Sequence, residues 1–486
     1  MVNPTSLANY AQTVAPSQLA PVSAPNPDIV VIGGGPIGLW TAIQTKLLTK
    51  KEVLIVEKYS EYKRADIRLS IDNSSLSGIP HYEPLKKLVK EWGNHTVPIK
   101  VMEDELTKCA HDLGIRIIKG EAADPIRIQE RYLTARVFIG ADGARSTVRK
   151  ELFGDQYKFN TPLQYIAQVQ YLIKTPKTET ENGDSSYEIV KNVADTYIKQ
   201  KFAGHLITQN IRPLENGRSQ VTLRIFIDEK TYKEMADATF SNPYYFEKDL
   251  DKVPDLLRDT LIKWWGTQYN QDIITDSEKA NKVTVIPLAS YAAKEVFKVT
   301  EKKNDSKDRI VTALVGDASQ AYPFFRAVNN GLLLGTRLAK CIAKAFEALD
   351  KAEEKNASPN AAEKGRRAKI FASYFNSYSR YSTRRAYIER IKAFVKNLFI
   401  VFSNNWIKIS SRVPWQSVRM DLEEQIKCYQ RGADLWEKLS GTKPPPLASG
   451  RSLKSMMKKI LSTPTTTGTT SDKHESKYLY LGQLRT

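Results

Sequence analysis

Gly33-Gly34-Gly35-Pro36-Ile37-Gly38 stands directly after the apolar run Asp28–Ile32. It is followed by Leu39–Leu48, in which Trp40, Ile43 and Leu47 recur at helical spacing. Each glycine has a task. Gly33 permits a tight turn off a strand, and Gly35 lets backbone N–H groups approach a pyrophosphate. Gly38 lets the helix close on the strand, with its N-terminus facing the phosphate charge. Gly34, Pro36 and Ile37 complete the turn. A second apolar run, Val53–Val56, ends in Glu57, 24 residues after Gly33, where a carboxylate accepts hydrogen bonds from a ribose. Strand, glycine turn, helix, strand and acid within about thirty residues predict a dinucleotide site.

Two more strand-to-turn junctions carry acids. Ala135–Ile139 runs into Gly140-Ala141-Asp142-Gly143 and on through Ala144-Arg145-Ser146-Thr147-Val148-Arg149. Arg309–Val315 runs into Gly316-Asp317-Ala318, with Pro323 beyond. The three motifs, in this order and separation, resemble those of the class A, single-component FAD-dependent monooxygenases of the aromatic-ring hydroxylase type. The resemblance covers roughly residues 28–348 and implies bound FAD, reduced transiently by NADPH or NADH and reacting with O₂ to hydroxylate a substrate. It implies that Asp317, with Ala318, meets the ribityl chain and that Asp142 is a cofactor residue. Glu57, Lys58 and Arg64 would meet the adenosine half. That stretch is similar also to the MICAL monooxygenases, which oxidise a protein. Lys100 stands where many relatives carry a flavin-contacting Arg, so the charge is kept and a bidentate contact is lost. No second glycine fingerprint appears for a nicotinamide domain, which fits this class.

One stretch departs from the family. Asn329 and Gly331 fall in step with its Asn and final Gly, but Phe325 and Ala327 replace two inner glycines that let the backbone approach the flavin ring. FAD binding survives this change better than hydroxylation does, and a fold that keeps FAD without turnover stays open as an alternative. Tyr322 and Arg326 are the polar side chains expected nearest the flavin, with hydrogen bonding inside the loop an equal reading.

The elements that must position these residues follow a simple order. The fold class is α/β: a Rossmann-like FAD-binding domain, an antiparallel substrate-domain sheet and a C-terminal helical extension. The expected division is a disordered lead-in at 1–27, the FAD domain at 28–160 and 305–350, and the antiparallel domain at 161–304. A basic helical extension at 351–440 and a disordered tail at 441–486 complete it. Tyr165–Ile173, His205–Arg212, Gln220–Ile227 and Lys282–Pro287 are the expected antiparallel strands. Trp264 and Trp265, in a helical insert, read as core filling in preference to a substrate cap.

The chain has 486 residues, 41% hydrophobic and 26% charged, as ordinary globular proteins do. Residues 1–27 lack both a charged start and a continuous apolar segment, so no secretory signal is expected and the cytoplasm is the expected location. Cys109, Cys341 and Cys428 lie far apart, which argues for a reducing compartment. The five histidines show no metal-ligand spacing, and no metal is expected. The net charge of +19 is concentrated late: residues 331–486 hold 29 Lys and Arg against 13 Asp and Glu, an excess of 16. An acidic protein or an anionic membrane surface is the partner this suggests; nucleic acid has no motif behind it. Tyr387, Ile391, Phe394, Val395 and Leu398 recur at helical spacing among Arg384, Arg385, Arg390, Lys392 and Lys396. The preferred reading is an apolar stripe packed on the FAD domain with its cations in water, and docking on such a partner is the other. Arg451–Ile460 is a second short basic segment, open also to reading as a targeting or secretion signal. The substrate, small molecule or protein, is not named by the sequence.

Overall fold

The computed structural model describes residues 26–60, 68–120, 124–174, 186–214, 217–268, 271–274, 280–302, 305–323, 326–355, 360–412 and 420–444. Arg64, Phe324, Phe325 and the basic segment 451–460 lie outside them, as do nearly all of the lead-in and most of the tail. The chain forms two compact units interleaved in sequence, residues 1–164 with 287–401 and residues 165–286 with 402–486.

In chain order the main elements begin with β1 (Ile29–Ile32), α1 (Pro36–Thr49), β2 (Val53–Glu57), α2 (Ile99–Asp112), β3 (Arg116–Lys119), β4 (Val137–Gly140) and α3 (Thr147–Phe153). There follow β5 (Tyr157–Lys174), β6 (Ile207–Pro213), β7 (Arg218–Ile227), α4 (Asp255–Gly266) and β8 (Lys282–Ala293). Last come β9 (Phe297–Lys302), β10 (Asp305–Leu314), α5 (Arg326–Lys355), α6 (Phe375–Arg412) and α7 (Leu422–Ser440).

The first unit is built on a sheet of order β9-β10-β4-β1-β2-β3, parallel throughout except for the β9/β10 pair. Its central strands β1, β2 and β4 are apolar without alternation because both faces are covered. Ile29 and Val31 of β1 join a core with Trp40, Ile43 and Leu338, whereas Val30 and Ile32 join Phe138, Val148 and Leu314 on the other face. In the first unit α5 begins at Arg326, five residues before the helix expected from Gly331. Asn329 and Asn330 are tolerated within the first turns because their amides bond outward.

The second unit holds an antiparallel sheet in which β7 pairs with both β5 and β6. Trp264 and Trp265 are buried in its core, the latter against Tyr171, Phe246 and Trp436. They fill the core, as expected. Helices α4 and α7 touch at backbone distance: a Cβ on Gly432 would lie 1.9 Å from the Ile262 carbonyl oxygen.

Candidate functional site

The site belongs to the first unit and starts from strand register. Ile32 of β1 pairs with Gly140 of β4, and Gly140 in turn with Leu314 of β10. Three motifs separated by up to three hundred residues therefore leave the sheet side by side, at the carboxyl ends of adjacent parallel strands. Ligands of open α/β sheets bind at such an edge, where neighbouring connections run to opposite faces.

Direct contacts lock the motifs together. Gly33 turns off β1 with φ +110°, and a Cβ there would lie 2.5 Å from the Ala141 carbonyl oxygen. A Cβ on Gly38 would lie 2.0 Å from the Gly33 carbonyl oxygen, so α1 is pressed against its own turn. Ile37 meets the third motif. Cβ atoms on Gly316 and Gly331 would approach its side chain to 3.0 and 2.9 Å.

Arg149 joins the second motif to the third. It is 4% exposed. Its guanidinium donates to the carbonyl oxygens of Ala318 at 3.1 Å and Ala144 at 3.0 Å, and to the Asp155 carboxylate at 2.8 Å. The rings of Tyr157 and Tyr291 flank it, each 5.2 Å from the guanidinium carbon. Burial opposes the charge, but Asp155 and the two tyrosines hold the group above its ordinary pKa. The Tyr291 hydroxyl donates to the Asp317 carbonyl oxygen at 2.7 Å, and burial pushes that phenol's pKa up.

Asp142 faces inward along its own motif. Its carboxylate accepts from the Ser146 hydroxyl at 2.5 Å, from the Thr147 N–H at 2.6 Å and from the Val148 N–H at 3.1 Å, which caps α3. Asp317 is half-buried and Ala318 buried, in the single 3₁₀ turn that follows β10.

At the other end, the Glu57 carboxylate accepts from the Gly34 N–H at 2.5 Å and the Tyr59 N–H at 2.9 Å. Lys58 is exposed, its ammonium 5.6 Å from the Tyr59 ring centre. Lys100 opens α2, exposed and paired with Asp104 at 3.0 Å. Glu103, which the sequence reading passed over, lies within the electrostatic reach of Glu57, Lys100 and Lys119. Burial, and then the like charge of Glu57, raise its pKa to about 7 against the pull of Lys119. Its Oε2 is buried without a hydrogen-bond partner.

These residues fit the adenosine and pyrophosphate part of FAD. No side chain caps the N-terminus of α1, and a Cβ on Gly35 would meet nothing within 4 Å, so the first-turn donors have open space beside them. Glu57 and the orphaned Glu103 oxygen offer acceptors to sugar hydroxyls.

Tyr322 and Arg326 are brought together by a different element, α6. Tyr322 is 3% exposed, its hydroxyl 2.8 Å from Gln320 Oε1 and 3.2 Å from the Ala386 carbonyl oxygen. Arg326 pairs through Nε with Glu389, a carboxylate 1% exposed that also binds Arg385 at 2.9 Å. Burial pushes the Glu389 pKa up, but Arg326, Arg385 and Lys392 outweigh it and hold the carboxyl below its ordinary value. Asn329 is tied elsewhere: Oδ1 accepts from the Asp72 N–H and the Ser75 hydroxyl, both at 2.8 Å, and Nδ2 donates to the Ser70 carbonyl oxygen at 2.9 Å.

Arg149 lay inside a motif already read from the sequence, and its residue type was the signal for a buried anchor. Tyr291, Glu103 and Glu389 carried none, since a Tyr in a strand and a Glu in a helix are ordinary surface residues until the fold encloses them.

No protein-family model and no curated protein matches the chain. Among solved structures it is similar to OxyS anhydrotetracycline hydroxylase from Streptomyces rimosus, at 14% identity and TM-score 0.46 over 85% of this chain and 76% of that one. It is similar also to aklavinone-11 hydroxylase in a ternary complex with FAD and aklavinone, at 14% identity and TM-score 0.41 over 66% and 63% of the two chains. PqsL, a probable FAD-dependent monooxygenase from Pseudomonas aeruginosa, is similar at 13% identity and TM-score 0.39 over 78% and 99%. Likeness of this size speaks to no residue of the site.

Proposed function

We propose that the chain is an FAD-dependent monooxygenase, its parallel-sheet unit a Rossmann-like FAD-binding domain. The observation that carries this reading is the convergence of the glycine turn, the Asp142 motif and the Gly316 motif at one edge of one sheet. When bound, FAD would supply redox chemistry, hydride acceptance from NADPH or NADH and reduction of O₂, so that one oxygen atom enters the substrate and the other leaves as water. The protein's own share is positional. The first turn of α1 receives the pyrophosphate, while Glu57 and Glu103 take sugar hydroxyls. Arg149 and Tyr291 hold the 316–318 turn at its backbone, fixing where Asp317 presents itself to the ribityl chain.

A second reading, a fold that holds FAD without turnover, is favoured by one observation. Tyr322 and Arg326, the polar side chains of the altered loop, are both engaged by α6.

Anaerobic addition of NADPH or NADH to the FAD-loaded protein, followed by air, separates the two. Bleaching of the flavin absorbance that reverses with air supports the monooxygenase. Flavin that stays oxidised with either nucleotide, across candidate small-molecule and protein substrates, leaves the non-catalytic reading.

A further inference from the structure

Helix α6, 38 residues and about 57 Å long, turns its apolar face outward. Within the first unit Tyr387, Ile391, Phe394, Val395, Leu398 and Phe399 are each between 44% and 68% exposed. At about 100° per residue they fall, with no break, within an arc of about 140°. From Ser382 to Phe399 the buried side lies opposite and is small or polar: Ser382, Ala386, Glu389, Ala393 and Asn397. Glu389 is held there by Arg326 and Arg385. The outward stripe is therefore not the packing stripe. A contiguous exposed apolar patch of this kind marks an interaction surface.

The charges choose the occupant. Arg390 lies along one border of the stripe, Lys392 and Lys396 along the other. Glu389 is the only acid in α6 and is 1% exposed, so every charge the helix offers to solvent is positive. A second copy would bring like charge against like, and so would the chain's own residues 445–486, with seven Lys and Arg against two acids. Cations at both margins of a face of Phe, Leu, Ile, Val and Tyr are what an anionic bilayer surface accepts. The rings enter the acyl boundary while long cationic side chains reach the headgroups. No helix among the described residues is long and apolar enough to cross a membrane, so α6 would lie along the surface.

We propose that the outward face of α6 docks the protein on an anionic lipid bilayer, a proposal independent of the FAD reading. The test is flotation of the full-length protein with phosphatidylcholine vesicles, with and without phosphatidylglycerol. The anionic vesicles carry the protein and the neutral ones carry on the order of ten-fold less, with binding weakened by salt. Replacing Phe394, Leu398 and Phe399 together by Ser lowers the bound fraction by on the order of ten-fold, while a circular-dichroism melt shows the fold intact. Lys396→Glu, which touches no apolar contact, gives a smaller loss that added salt makes indistinguishable from the parent. Failure to float with either vesicle overturns the proposal, as does equal flotation of the triple-Ser protein. A dimer in light scattering that the triple-Ser protein abolishes, without flotation of the parent, assigns the face to a second copy instead.

Discussion

Helices α5 and α6 are both long, both in part beside the parallel sheet, and opposite in what they hide. Helix α5 buries its bulky side chains: Leu332, Leu334, Leu338, Ile342 and Phe346 are all 2% exposed or less, in the core that holds α1. Between Ser382 and Phe399, α6 buries Ser, Ala, Glu and Asn and leaves Ile391, Phe394, Leu398 and Phe399 in water. Helix α5 is held by burial of apolar area and α6 by a few polar anchors: Tyr378 to Leu314, the Ala386 carbonyl with Tyr322, and Glu389 with two arginines. Periodicity alone shows that a helix has an apolar side. Which side meets the protein depends on what the neighbouring surface offers, and here it offers Arg326 and a tyrosine hydroxyl.

This contrast can be broken by substitution. Leu338→Ala in α5 removes a fully buried side chain and is expected to cost about 3 kcal/mol in denaturant unfolding of the first unit. A cost under about 1 kcal/mol would mean that α5 is not the packed helix it is taken to be. Glu389→Ala in α6 comes next, at about 2 kcal/mol, below the usual loss for a severed buried pair because both arginines remain about one-fifth exposed. Its pH dependence has a definite sign. The folded pKa lies below the ordinary value of 4.5, so the pair's contribution is fully present above that pH and fades as pH falls through the folded value. Parent and variant should converge in acid and differ by a constant amount at neutral pH. Tyr378→Phe, which takes away the hydroxyl that donates to the Leu314 carbonyl oxygen at 2.6 Å, is expected to cost about 1 kcal/mol. Phe399→Ser, at 68% exposure, should move the thermal midpoint hardly at all, within about 0.5 kcal/mol. A large loss there would show that the outward stripe is covered within the folded chain.

What the sequence disclosed follows the same division. Constraints that act locally were legible: the unbroken apolar strands, the glycine turn, the acid at the end of β2 and the alternation of the antiparallel sheet. Each arises from steric or hydrogen-bonding demands within a few residues. The docking of α6 was not legible, and the stripe expected to pack on the FAD domain is the one the structure exposes. The grip of Arg149 and Tyr291 on the 316–318 turn was also invisible, because it joins strand ends brought together only by the sheet. The placing of Asn329 shows the limit most clearly. The sequence placed it by its spacing in the motif, yet its amide is spent on Ser70, Asp72 and Ser75, residues that no spacing rule connects to it.

The central claim is that three distant motifs make one FAD site. Titration of the purified full-length chain with FAD, followed by flavin absorbance and fluorescence, tests it most directly. The account predicts saturable uptake of one FAD per chain, either already present as a yellow protein or regained on addition, and its loss when Gly35→Val fills the open space beside α1. A well-folded, colourless parent protein that takes up no FAD would contradict it.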